Sequence, residues 1–108
     1  MFLIILLMTK VIYPTADRII ENNYLSLQFI KAKKADQPKV LSYNKIDDII
    51  KECKNNKGDV YDKAVILLKE IVKRHAFASG NRRTAFVTIK EFILTNNSKF
   101  WIEDDPSN

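Results

Sequence analysis

A chain of 108 residues, 46% apolar and 29% charged, has ordinary globular composition, which excludes a disordered chain and sets one domain as the expectation. A single cysteine, Cys53, excludes an internal disulfide, and with a single histidine, His75, it excludes a cysteine/histidine zinc site. The net charge of +5 is compatible with nucleic acid, but no long basic run or aromatic-interleaved basic strand accompanies it, so a solvated lysine-rich surface or an anionic small ligand is the better reading.

The N-terminal apolar run, Phe2 to Met8, is shorter than the roughly 20 residues that cross a bilayer. It lacks the preceding positive segment and the following small-residue cleavage site of a secretory signal. It therefore reads as no targeting signal, and cysteine usage points to a reducing, cytoplasmic setting. We expect one domain over 1–108, with its core at about 12–97 and a tail over 98–108 in which Phe100, Trp101 and Ile102 pack before an acidic, frayed end.

"YPTADRII" opens the first helix. Thr15 suits the N-cap, and Asp17 falls in the first turn, where the helix dipole favours an anion. Ile20, Tyr24, Leu27 and Ile30 recur at helical spacing and predict its buried face. The polar stretch 31–42, which carries Pro38, reads as a connecting loop. Ser42 or Asn44 can cap a short second helix whose face is Ile46, Ile49, Ile50 and Cys53, with Cys53 as a small buried hydrophobe. Gly58 supplies the next turn.

From Asp59, the apolar positions Ala64, Val65, Leu67, Leu68, Ile71 and Val72 predict a broad face, hence a central, mostly buried helix running to about Arg74. A last helix starts near Asn81 or Arg82, turns Ala85, Phe86, Ile89, Phe92 and Ile93 inward, and stops at "TNN", residues 95–97, because asparagine tolerates the left-handed cap. The fold class is all-α, a single-domain helical bundle.

Between the last two helices lies "HAFASGNRRTAF", residues 75–86. The first N–H groups of a helix lack intrahelical acceptors, so Gly80, Asn81, Arg82 and Arg83 sit where an anion binds readily. Gly80 lets the backbone turn closely around such an anion, and the two guanidinium groups add charge-assisted contacts suited to phosphate. His75, across the loop, carries an imidazole, the side chain most often used to take a proton from a hydroxyl. On spacing alone, His75 can equally be a cation capping a helix end, with Arg82 and Arg83 solvated.

This stretch resembles the signature of the Fic/Doc (Fido) family, His-x-Phe-x-(Asp/Glu/Asn)-(Gly/Ala)-Asn-(Gly/Lys)-Arg, with His75, Phe77, Gly80, Asn81 and Arg83 on its fixed positions. "YPTADRIIENN", "AVILLKEIVKRH" and "FILTNN" resemble the flanking helices of Doc-like (death-on-curing) members, so the likeness spans roughly residues 12–97. It implies an all-α domain that uses ATP to modify a protein hydroxyl. Fic members transfer AMP. Doc members carry lysine in place of the second glycine of Gly-Asn-Gly and transfer the γ-phosphoryl group. Arg82 stands at that position and is cationic like lysine, which places the chain nearer Doc.

Carried onto this sequence, the resemblance makes His75 the general base. It gives Gly80, Asn81 and Arg82 the phosphate oxygens through their backbone, and Arg82 and Arg83 the developing charge. Phe77 pins the loop, the 42–53 helix packs beside the site, and the 31–42 segment takes the place of a target-docking flap. Ser79 replaces the family's acidic Mg²⁺ ligand, a poor exchange for a hard cation. The implied partners are a target protein, which for Doc belongs to the translation machinery, and a Phd-like antitoxin. The competing readings are a non-catalytic member that binds nucleotide or a partner protein, and a small basic nucleic-acid binder.

Overall fold

The structure is a computed structural model that describes residues 10–29 and 37–98. The apolar run 2–8, Ile30, the first part of the connecting loop and the packing residues expected at 100–102 lie outside the described residues. Among the described residues the chain is all-α: α1 (Ala16–Phe29), α2 (Tyr43–Asn55), α3 (Val60–Arg74) and α4 (Asn81–Thr95) follow in order. None of these helices is long and apolar enough to cross a membrane.

The helix starts are held by the side chains that the sequence offers for the purpose. Thr15 Oγ1 accepts from Arg18 N at 3.1 Å at the head of α1. Ser42, rather than Asn44, caps α2 by accepting from Lys45 N. Asp59 caps α3 in a reciprocal box with Asp62, each side chain accepting from the other's backbone N–H. At the far end of α4, Asn96 follows the last helical residue and Asn97 takes φ 58°, the left-handed geometry expected of the "TNN" stop.

Ile46, Ile49, Leu67, Ile71, Phe77 and Phe92 anchor one buried cluster between the four helices. All four residues of the expected α2 face are buried, and burial pushes the Cys53 thiol up to about 11, so it is an inert core group. Lys63 is buried as well. Its ammonium donates to the carbonyls of Cys53 and Asn56 at the C-terminal end of α2, where the helix dipole favours a cation, and lies 5.4 Å from the centre of the Tyr13 ring.

Three expected faces need correction. α3 is not mostly buried: Val65 is 58% and Leu68 39% exposed, and the inner face is the narrower stripe Lys63, Ala64, Leu67, Glu70, Ile71. A face of that width suits a helix at the rim of a four-helix bundle, with one side in solvent. On α4, Phe86 points outward at 44% exposure, while Ala85, Phe92 and Ile93 are buried.

On α1, Tyr24 is 50% exposed and Ile20 only partly buried. The buried face is instead Ile19, Asn22, Asn23, Ser26 and Leu27, one residue round from the expected stripe. Its two asparagines find partners on α4, while Ser26 Oγ donates back to the Asn22 carbonyl. Asn22 Nδ2 donates to Thr88 Oγ1 at 3.1 Å, and Asn23 Nδ2 donates to Thr84 Oγ1 at 3.0 Å. Buried amides are tolerated when they are hydrogen-bonded.

The α1–α4 contact ends in an ion pair. Arg18 Nε lies 3.0 Å from both carboxylate oxygens of Glu91, and the Arg18 hydrogen bond holds the Glu91 carboxyl below its usual range despite partial burial. Because the folded-state value is depressed, this stabilisation is present above the unfolded-state value of about 4.3 and is lost as pH falls through the folded-state value. Glu91 is 33% exposed, so Glu91→Gln should cost less than about 1 kcal/mol at neutral pH. In urea titrations the variant should converge on wild type as the pH drops below the carboxylate range. A gap that stayed constant into acid would contradict the assignment.

Candidate functional site

α3 stops because its next residue, His75, adopts φ 54° and ψ 53°, a left-handed conformation that breaks the hydrogen-bond ladder and is uncommon outside glycine. The C-terminal end left behind is met by cations. Lys45 Nζ donates to the Arg74 carbonyl at 3.0 Å, and the Arg74 guanidinium bonds Glu70 at 2.9 Å and Glu52 across to α2. That bond holds the Glu70 carboxyl below its usual range. α2 therefore does pack beside the 75–80 turn, and His75 is not needed there as a capping cation.

The chain then dives inward. Ala76 and Phe77 are each 1% exposed. Here the connecting segment proves to be more than a loop, because residues 39–42 lie alongside the turn in a short antiparallel bridge, Val40 to Phe77. Leu41 N donates to Ala76 O at 2.7 Å, and Ala78 N donates to Lys39 O at 2.9 Å.

At Gly80 the backbone turns left-handed again, φ 75°, and enters α4. The left-handed dihedral favours glycine, and a Cβ here would fall 2.9 Å from Leu27 Cδ2, so the Leu27 side chain would have to shift to admit one. Glycine has no side chain to cap with, and no side-chain bond serves this helix start. The other three helix starts each have an accepting side-chain oxygen, from Thr15, Ser42 and Asp59. The α4 start thus offers N–H groups and a positive dipole end to an external anion.

Asn81, the first residue of α4, is 6% exposed and its side chain folds back onto the turn. Its Oδ1 accepts from Phe77 N at 3.1 Å, its Nδ2 donates to Phe77 O at 2.9 Å, and the same Nδ2 lies 3.5 Å from His75 Nδ1. The Asn81 side chain is thereby engaged with the protein, which leaves its backbone N–H for an anion. The His75 side chain is exposed at the rim of the same turn.

Arg82 and Arg83 do not form a parallel pair. Successive residues on a helix point about 100° apart, and Arg82 is exposed while Arg83 is half-buried. Ser79 is half-buried, and its carbonyl accepts from Asn23 Nδ2 at 2.8 Å. Among the described residues no group of three His, Cys, Asp or Glu side chains could hold a metal ion. The N–H and guanidinium groups here suit phosphate oxygens, whereas the Ser79 hydroxyl is a weaker ligand than a carboxylate for a hard cation such as Mg²⁺.

Asn23 is the site residue that apolar pattern-reading misses. A signal was present: Ile19, Asn22, Asn23, Ser26 and Leu27 stand at i, i+3, i+4, i+7 and i+8, a complete helical face once polar residues are admitted to it. A cleft of about 310 Å³ near Tyr13, Arg18 and Glu91 lies toward the other end of α4, and there the arginine is already matched by Glu91 and Glu21.

Two packed helices, a left-handed histidine, a core-seated phenylalanine and a glycine helix start together make a helical domain in which the α4 start has no side-chain cap and lies beside an exposed histidine. The Fic/DOC family model matches residues 17–93, and the chain belongs to the Fic/Doc family. Membership points to transferase-type function. No curated protein and no solved structure matches the chain.

Proposed function

We propose that this protein is a Doc-like transferase that uses ATP to phosphorylate a hydroxyl of a target protein. The observation that carries the reading is the α4 start: Gly80 in left-handed geometry with no side-chain cap, one turn away from an exposed His75. Phosphate oxygens of ATP bind the N–H groups of Gly80, Asn81 and Arg82, and Arg82 and Arg83 stabilise charge as it develops on the transferring group. His75 takes the proton of an incoming Ser, Thr or Tyr hydroxyl. That oxygen bonds to the γ-phosphorus, the bond from the γ-phosphorus to the bridging oxygen breaks, and ADP leaves.

Arg82 favours γ-phosphoryl over AMP transfer. A long cation stands where AMP-transferring members have glycine, so the chain carries Doc's charge and lacks the glycine on which the other nucleotide pose depends. By the same likeness the target belongs to the translation machinery and a Phd-like antitoxin restrains the enzyme in the cytoplasm. A second reading, a member that binds nucleotide or a partner protein without catalysis, is favoured by one observation: Ser79 stands where the family's motif has an acidic residue.

Nucleotide binding is tested by thermal unfolding. ATP bound only to the native state should stabilise it, by about 2.7 kcal/mol at ~100 times Kd. Arg83→Ala should remove most of the resulting rise in Tm. A rise that survived Arg83→Ala undiminished would put the nucleotide elsewhere.

A further inference from the structure

We infer that Asn23, on α1, is a positioning residue that holds the phosphate-binding turn in its binding geometry; this deepens the nucleotide reading above and rests on it. Asn23 is 1% exposed and lies on the helix that faces the turn from below. Its Nδ2 group donates to the Ser79 carbonyl at 2.8 Å and to Thr84 Oγ1 at 3.0 Å. Those two acceptors bracket the anion turn. Ser79 is the last residue before the N-cap, and Thr84 is the residue whose N–H closes the first turn of α4 on Gly80 O at 2.9 Å. One amide thus grips both ends of the segment Gly80 to Arg83, within which the phosphate would use the N–H groups of Gly80, Asn81 and Arg82.

Asn81 ties the same segment to Phe77 and His75 from the other side. Leu27, one helical turn beyond Asn23, packs under Gly80, where an added Cβ would fall 2.9 Å from its Cδ2. Without Asn23 the half-buried Ser79 carbonyl loses this donor, and the peptide that leads into Gly80 can rotate to find another. Rotation of that peptide redirects the N–H groups that follow it. The loss should therefore appear in binding of the phosphate portion as well as in stability.

A neighbour supplies the control. Asn22 makes the adjacent α1–α4 bonds, to Thr88 and Glu91, and its side chain is hydrogen-bonded to these and not to the turn. The experiment compares wild type, Asn23→Ala and Asn22→Ala by amide NMR and by titration with ATP and with inorganic pyrophosphate, under conditions where each variant is fully folded. Asn23→Ala should shift the amide resonances of Gly80 to Arg83 and weaken binding of both ligands about tenfold, the equivalent of one well-placed hydrogen bond to a charged group. Asn22→Ala should leave both nearly unchanged. If Asn23→Ala does not fold, Thr84→Val, which keeps the volume and removes one of the two acceptors, should give the same pattern with smaller size. Wild-type binding that both variants weaken equally, or that neither Asn23→Ala nor Thr84→Val weakens, overturns the inference and leaves the nucleotide reading standing. Failure of the wild type to bind either ligand overturns the nucleotide reading, and the inference falls with it.

Discussion

His75→Ala is expected to lower label transfer from ATP by about 10²–10⁴-fold, the usual worth of a general base, while leaving the fold in place. The two effects separate because of where the side chain lies. The imidazole is exposed, and its nearest described polar partner is Asn81 Nδ2 at a long 3.5 Å. Its removal therefore opens no cavity. The backbone strain at φ 54° is common to histidine and alanine, so replacing one by the other leaves it in place. Circular dichroism melts should show a small change in Tm, and nucleotide binding should persist. A variant that kept wild-type transfer would exclude His75 from the reaction. A variant that unfolded would instead give His75 a structural role in ending α3.

Phe77→Ala should act the other way, through stability, at about 3–5 kcal/mol. Phe77 is among the largest fully buried side chains, at 1% exposure, and it sits in the middle of the motif instead of in the middle of a helix. Truncation leaves a void that α2 and α3 are ill placed to fill, because their positions are fixed by separate contacts, Lys45 to Arg74 and Arg74 to Glu52. The loss is a large fraction of the 5–15 kcal/mol or so that holds a typical domain. Urea denaturation should show a lower midpoint with an unchanged slope, the sign of lost stability without lost two-state behaviour. Transfer should fall too, since both backbone groups of Phe77 bond Asn81 and the bridge to Val40 holds the turn. A cost below about 1 kcal/mol would show that the pocket collapses and that the motif does not depend on this anchor.

Local chemistry was readable from the sequence wherever a single residue settles a boundary. Thr15 and Ser42 start helices because their oxygens reach the N–H groups three residues on, and Gly80 and Asn97 mark left-handed turns. The α2 face was readable because its buried positions are all apolar. Where burial is polar the same logic misled. Tyr24 was expected inside and Asn23 was passed over, although the inner face of α1 meets Thr84 and Thr88 of α4 in a row of hydrogen bonds. Val65 and Phe86 were expected inside because hydrophobicity alone does not say how many neighbours a helix has.

The site divides along the same line. Its sequence-local part, His75 to Arg83, follows from helix ends and glycine geometry. Its long-range part does not: the pairing of Lys39 and Leu41 with Ala76 and Ala78, and the reach of Asn23 to Ser79, depend on which elements become neighbours in space. Nothing in the spacing of those residues encodes that.

The central claim, phosphoryl transfer by an arginine-bearing Fic/Doc motif, is tested most directly by incubating the protein with cell lysate and ATP labelled at either the α- or the γ-phosphorus. Label should pass from γ-labelled ATP to a protein band and should not pass from α-labelled ATP. Label from the α-position would contradict the role given to Arg82 and make the protein an AMP transferase, and no label from either, with ATP binding intact, would leave a nucleotide-binding member without catalysis.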